Sequence, residues 1–280
     1  METGNEKLGF IGAGNMSTAL IKGLTGSGVY GREQLVVSDI NKKALEEIFL
    51  RFGVKSLSSN RKLVHESNIV VLSVKPQILK EVLEEIKGDL RDDHLIISIA
   101  AGIPLKMILS IIDRNIPLIR VMPNTPALVQ KGMSVLTAGG SATSVHLARA
   151  EIIFRAVGDT VEVEEKMMDV VTAMSGSGPG YILRIMECMV EAGVFLGLNM
   201  ETSLRLVIQT FFGTSHLVKE SGESLARLRE MVTSPGGTTF AGLQVFEKMG
   251  LKDLTREAVD AACKRSMELG RDANSKSQES

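Results

Sequence analysis

The chain has 280 residues, 32 basic and 33 acidic side chains for a net charge of −1, 44% apolar residues, two cysteines and no tryptophan. That length supplies one large domain or two ordinary ones with ample core, and the balanced charge leaves no field to attract nucleic acid or an anionic membrane surface. Cys188 and Cys263 lie far apart within apolar helical patterns, so neither a disulfide nor a metal site is expected, and the cysteine usage fits a reduced, cytoplasmic protein.

The N-terminus does not resemble a signal peptide, because the first strand starts almost at once. Lys7–Ile11 reads as a short apolar strand. It turns through Gly12, Ala13 and Gly14 into a helix with Met16, Ala19, Leu20, Gly23 and Leu24 on one side. This is the dinucleotide fingerprint G-x-G-x-x-(G/A) with Ser17 in the third slot: Gly12 for the tight turn, Gly14 for close approach of a pyrophosphate. An ordinary strand–helix turn is the plain alternative. A second strand, Gln34–Asp39, ends where a ribose-binding acid belongs, and Lys42 and Lys43 follow. Asp39 there would bind NAD hydroxyls and repel a 2′-phosphate, or it would cap a helix over Ile40–Phe52.

Apolar runs at Ile69–Pro76, His94–Gly102 and Ile116–Met122 alternate with amphipathic helices, which is the pattern of a parallel sheet covered on both faces. The strand ends Ser73–Pro76, Ser98–Gly102 and Met122–Pro126 would then share the carboxyl edge, where such sheets bind ligands. Met133–Ala138 and Thr160–Val163 read as the last strands, flanking a helix over Val145–Ala156. The expected fold is therefore α/β, with a Rossmann-like, doubly wound, mostly parallel sheet over residues 1–163.

From Glu164 the period becomes helical throughout, giving a second, all-helical domain over residues 164–280. Ser175–Tyr181 (SGSGPGY) reads as a glycine loop before a helix at Pro179–Leu196. Glycines 176, 178 and 180 would permit unusual backbone angles, and the helix start would offer unpaired N–H groups to an anion. Close helix packing is the alternative. Four more helices follow, at about Glu201–Lys219, Glu223–Val232, Thr238–Lys248 and Lys252–Gly270. So much Met, Leu and Val on several faces predicts a homodimer rather than a self-contained bundle. The polar tail Arg271–Ser280 is expected to fray.

Met231–Thr239 (MVTSPGGTT) repeats the chemistry of the first glycine stretch, and here a resemblance emerges. Arg229–Glu247 (REMVTSPGGTTFAGLQVFE) resembles the signature of the Δ1-pyrroline-5-carboxylate reductases, which make L-proline. SGSGPGY is similar to that family's SGSGPAY, with Gly180 in place of alanine. GFIGAGNM, VKP, AAG and MPNTP fall in the matching order, so the likeness spans about Lys7 to Gly270.

The resemblance implies a helical dimerisation domain, possible assembly of several dimers, and hydride transfer from NADPH or NADH to a cyclic imine. Candidate cofactor contacts are Gly12, Gly14, Asn15, Met16, Ser38, Asp39, Asn60, Val74, Lys75, Pro76, Ala100, Ala101 and Gly102. Candidate substrate contacts are Ser175, Gly176, Ser177, Gly178, Pro179, Ser234, Gly236, Gly237, Thr238 and Thr239. Backbone N–H groups of the two stretches would take the substrate carboxylate, and Thr239, the candidate catalytic residue, would hydrogen-bond the ring nitrogen. No His, Lys or carboxylate lies inside either stretch, so the imine would enter already protonated. Two other readings stand beside this one: a reductase of another small imine or carbonyl acid, and a cofactor-binding regulatory dimer without turnover. Of the former, the β-hydroxyacid dehydrogenases place a lysine on the helix after the linker, where this chain has Tyr181, Arg184 and Glu187.

Overall fold

The computed structural model describes the backbone of residues 6–278 and side chains as far as Arg271. The chain forms two compact units: 1–177 together with 261–280, and 178–260.

The first unit is built on an eight-stranded sheet in the order β3-β2-β1-β4-β5-β6-β7-β8. The strands are β1 (Leu8–Ile11), β2 (Leu35–Ser38), β3 (Lys55–Leu57), β4 (Ile69–Leu72), β5 (Leu95–Ser98), β6 (Pro117–Pro123), β7 (Gly132–Gly140) and β8 (Gly158–Glu162). All neighbours pair in parallel except β6 and β7, which run antiparallel. Every residue of β1, β2, β4 and β5 is buried, as continuous apolar strands must be when helices cover both faces. The two-residue side-chain period sorts these residues cleanly. Leu8, Phe10, Val37, Val71 and Ile97 pack with α1 (Asn15–Ser27), α2 (Lys42–Phe52) and α6 (Ser144–Arg155). Ile11, Val36, Val70, Leu72 and Ile96 face α3 (Asn60–Glu66), α4 (Pro76–Ile86) and α5 (Leu105–Ile112). Gly9 belongs to this second face, where an added Cβ would drive into the Leu63 side chain of α3.

After β8, Glu165 anchors the chain to the sheet. One of its carboxylate oxygens accepts from Arg120 of β6 at 2.8 Å and from the Leu105 N–H at 3.0 Å, which begins α5. A short helix α7 (Met168–Val171) follows and passes into a π-helical turn, Thr172–Gly176. The C-terminal part of α12 (Leu251–Gln278) also belongs to the first unit. Ser266 donates to Asp169 at 2.6 Å. An added Cβ on Gly270 would lie 2.9 Å from the Gly102 carbonyl oxygen. The tail expected to fray is helical as far as Gln278; the side chains of residues 272–278, and all of 279–280, lie outside the described residues.

The second unit is helical. It contains α8 (Gly178–Phe195), α9 (Met200–Ser221), α10 (Leu225–Met231), α11 (Thr238–Lys248) and the first part of α12. Asn199 and Ser224 cap α9 and α10 through their side-chain oxygens, each satisfying one N–H that the helix leaves open. Gly193 of α8 sits against Ser203 of α9, where a Cβ would come 2.7 Å from the hydroxyl oxygen.

Candidate active site

The first turn of the sheet carries the dinucleotide fingerprint as the sequence leads one to expect. Gly12 has φ +108°, and a Cβ there would stand 2.5 Å from the Ser73 carbonyl oxygen, so no other residue fits without strain. Its N–H donates to the Ser38 carbonyl at 2.8 Å. Ser17 is fully buried and donates its hydroxyl to the Gly12 carbonyl at 2.6 Å, which holds α1 against the strand it follows. Gly14 is the N-cap, extended and without a side-chain cap, and the Thr18 N–H is the first to find its oxygen. The N–H groups of Asn15, Met16 and Ser17 therefore stand at the positive end of the helix dipole with no intrahelical acceptor. A Cβ on Gly14 would meet nothing within 4 Å, which leaves room for a pyrophosphate to approach the backbone.

At the end of β2, Ser38, Asp39 and Asn60 come together. The Ser38 hydroxyl donates to Asn60 Oδ1 at 2.8 Å, and Asn60 Nδ2 donates to Glu85 at 2.7 Å. Asp39 does not cap a helix. Its Oδ2 accepts from the Ala13 N–H at 2.6 Å and its Oδ1 from the Asn41 N–H at 2.7 Å. The cap of α2 is Asn41, which accepts from Lys43 and Ala44, and the helix starts at Lys42 rather than Ile40. Asp39 thus clamps the fingerprint turn from the neighbouring strand end.

The other two expected cofactor segments also lie where the parallel strands end. Val74–Lys75–Pro76 leads from β4 into α4, with Lys75 as an uncapped N-cap and Pro76 in the first turn. Ala100–Ala101–Gly102 follows β5; Gly102 turns with φ +74° against Leu269 and Gly270 of α12.

The Ser175–Tyr181 stretch departs from the sequence reading. It is not an open glycine loop: the π turn runs directly into α8, and the Ser177 N–H, expected to be free for an anion, donates to the Thr172 carbonyl at 2.8 Å. Glycines 176, 178 and 180 all have negative φ. The reason for Gly176 is space instead, since a Cβ would stand 2.5 Å from Met122 Cε at the end of β6. Gly178 and Gly180 would meet nothing within 4 Å. One residue of the strand end Met122–Pro126, absent from the candidate contacts, touches this turn. Asn124 of the MPNTP segment accepts from the Met133 N–H at 2.9 Å and donates to the Ser175 hydroxyl oxygen at 3.3 Å.

In the second unit, Thr233–Thr239 does form an open helix start. Gly236 turns with φ +70°. Gly237 is the extended N-cap of α11, and a Cβ there would collide with the Ser234 hydroxyl. The Gly237 side offers no capping group, and the Ala241 N–H is the first to bond back, to the Gly237 carbonyl. The N–H groups of Thr238, Thr239 and Phe240 are left for an anion, with two threonine hydroxyls beside them. Among the described residues no cluster of three or more His, Cys, Asp or Glu side chains could hold a metal, and no helix is long and apolar enough to cross a membrane.

Comparison with known proteins places this geometry. Residues 165–269 match the family model described as pyrroline-5-carboxylate reductase dimerisation, and residues 7–102 match one described as NADP oxidoreductase, coenzyme F420-dependent. The chain is 39% identical over 267 residues to the pyrroline-5-carboxylate reductase of Methanosarcina acetivorans, covering 95% of this chain and 99% of that one. Among solved structures, the pyrroline-5-carboxylate reductase of Coxiella burnetii superposes with a TM-score of 0.90 at 36% identity, covering 95% of this chain and 98% of that one. The Plasmodium falciparum pyrroline carboxylate reductase, solved with NADP bound, gives 0.85 at 36% identity, covering 96% and 99%. The chain belongs to the pyrroline-5-carboxylate reductase family.

Proposed function

We propose that the protein reduces Δ1-pyrroline-5-carboxylate to L-proline. What carries this reading is 39% identity over 95% of the chain to a relative of that name, together with an open dinucleotide turn and an open helix start at α11. NADPH or NADH, held by Gly12–Ser17, Ser38, Asp39, Asn60, Val74–Pro76 and Ala100–Gly102, would supply the hydride. The chain's own residues bind and orient. Ser175–Pro179 and Ser234–Thr239 are the substrate contacts of this reading, and the free N–H groups at the start of α11 take the substrate carboxylate. The Thr239 hydroxyl hydrogen-bonds the ring nitrogen. With no strong acid in either stretch, the imine arrives protonated and the protein holds its carbon in attack geometry. The helices α8–α12 pair with a second copy, dimers assemble further, and the enzyme works in the cytoplasm. Loss of NAD(P)H absorbance on adding pyrroline-5-carboxylate tests the activity; no turnover with either cofactor sinks it. Thr239→Ala should lower kcat by on the order of 1–3 kcal/mol of activation free energy while the fold persists. Wild-type kcat there, with a loss in Thr238→Ala, would move the role to Thr238.

Cofactor preference turns on Asp39. A carboxylate about 4 Å from a 2′-phosphate costs roughly 4 kcal/mol at an effective dielectric near 20, whereas exposed Lys42 and Lys43 return about 1 kcal/mol or less each. Against that, each Asp39 oxygen already accepts a backbone N–H, which spreads its charge. The expected outcome is use of both cofactors. Asp39→Ser should raise the NADPH/NADH ratio of kcat/KM; an unchanged ratio means that Asp39 only clamps the turn.

A further inference from the structure

The hydrogen bonds around Asn124 fix a direction. A backbone N–H can only donate, so the atom of the Asn124 amide facing Met133 N at 2.9 Å is the oxygen. Its NH2 group must then face Ser175, whose hydroxyl oxygen accepts at 3.3 Å. With that side of the oxygen occupied by a donor, the Ser175 proton points elsewhere, and no acceptor among the described residues takes it. Ser175 sits in the π-helical turn Thr172–Gly176, a local widening that often marks functional sites. Met122, two residues before Asn124, packs so close to Gly176 of the same turn that an added Cβ would stand 2.5 Å from its Cε.

We propose that Asn124 is a positioning residue: it accepts from Met133, donates to Ser175, and thereby makes the Ser175 hydroxyl an obligatory donor toward the substrate carboxylate. This rests on the reading of Ser175–Pro179 as part of the substrate site. A serine left to rotate would spend part of its time presenting a lone pair to the anion; the amide removes that orientation before the substrate arrives.

The test is a double-variant cycle on the full chain, in steady state with NADPH and pyrroline-5-carboxylate, with melting temperatures recorded. Asn124→Asp keeps an oxygen for the Met133 N–H but presents an acceptor to Ser175, so the hydroxyl proton turns inward. Ser175→Ala and Asn124→Asp should each raise the substrate KM about tenfold, with the cofactor KM changed less than about twofold. Once Ser175→Ala is present, adding Asn124→Asp should raise the substrate KM no further. A further rise of similar size in that background, or a parallel rise in cofactor KM, overturns the proposal, because Asn124 would then act through charge or general loosening. Should Asn124→Asp not fold, Asn124→Ser replaces it in the same cycle, with the same coupling required. If Ser175→Ala itself leaves the substrate KM unchanged, the substrate-site reading of this turn falls and the proposal with it. If Ser175→Ala has its effect and Asn124→Asp has none, only the role of Asn124 falls.

Discussion

The two units bury their apolar side chains to very different degrees. In the first, Leu8, Phe10, Leu20, Ile97, Ile119 and Phe154 are all wholly inaccessible. In the second, Val190, Val207 and Leu228 are the buried apolar side chains among those described, whereas Phe195 is 88% exposed and Phe212 63%. A sheet with helices on both faces seals itself within one chain; helices apolar on several sides do not. The lesson is that the first unit carries its own stability, whereas the second needs a further surface, in keeping with its match to a dimerisation family.

The sharpest way to break that contrast is to place a charge on an exposed apolar side chain of the second unit. Phe212→Asp should weaken self-association by about 2–4 kcal/mol, as expected for a buried interface aromatic. Sedimentation over a dilution series reads it, and an unchanged dimer would remove α9 from the interface. The first unit should respond differently. Gly12→Ala forces a Cβ toward the Ser73 carbonyl at positive φ and should destabilise that unit by about 1–3 kcal/mol, equally at all protein concentrations in a denaturant titration. A concentration-dependent loss would mean that the two units do not stand apart energetically.

The smallest effect is a pH dependence confined to the first unit. His94 is fully buried; its Nδ1 accepts from the Arg91 N–H at 2.8 Å, and its Nε2 lies 3.1 Å from the Ser67 carbonyl oxygen. Burial first, and the Arg91 charge second, hold its pKa below the ordinary 6.5. The unfolded chain therefore binds the proton more readily than the folded one. Stability should be constant above that ordinary value, fall as pH drops below it, and level off below the folded pKa. His94→Gln should flatten this part of the pH–stability curve, measured by denaturant midpoints.

Much of this was legible in the sequence. β1, β4 and β5 stand out because strands buried on both faces must be unbroken apolar runs. β3 and α3 did not: three residues with only Leu57 buried, and seven with only Leu63 and Val64, are too short to impose a period. The reversal between β6 and β7 was not among the expectations; it goes with a connection from Asn124 to Lys131 that is shorter than the dozen or so residues a parallel crossover needs. The Ser175 stretch misled because glycine composition signals either unusual angles or close approach, and only tertiary packing against Met122 distinguishes the two. Asn124 lay in the strand end Met122–Pro126 and in the MPNTP motif, but neither signal names its partners, which are set by the fold. For α11 the bounds Thr238–Lys248 agree with the reading, because the proline and two glycines before Thr238 mark where a helix can begin.

The hydrogen bond from Ser266 to Asp169 joins residues 97 positions apart, and that separation is also an interval of time on the ribosome. At roughly 5–20 residues per second, about 5–20 s of synthesis elapses between the two partners. The whole sheet emerges before the helix that closes over Gly102 has been translated. A nascent chain can therefore assemble its strands early, yet it must wait for Leu269 and Gly270 to be made before the Ala100–Gly102 turn gains its cover.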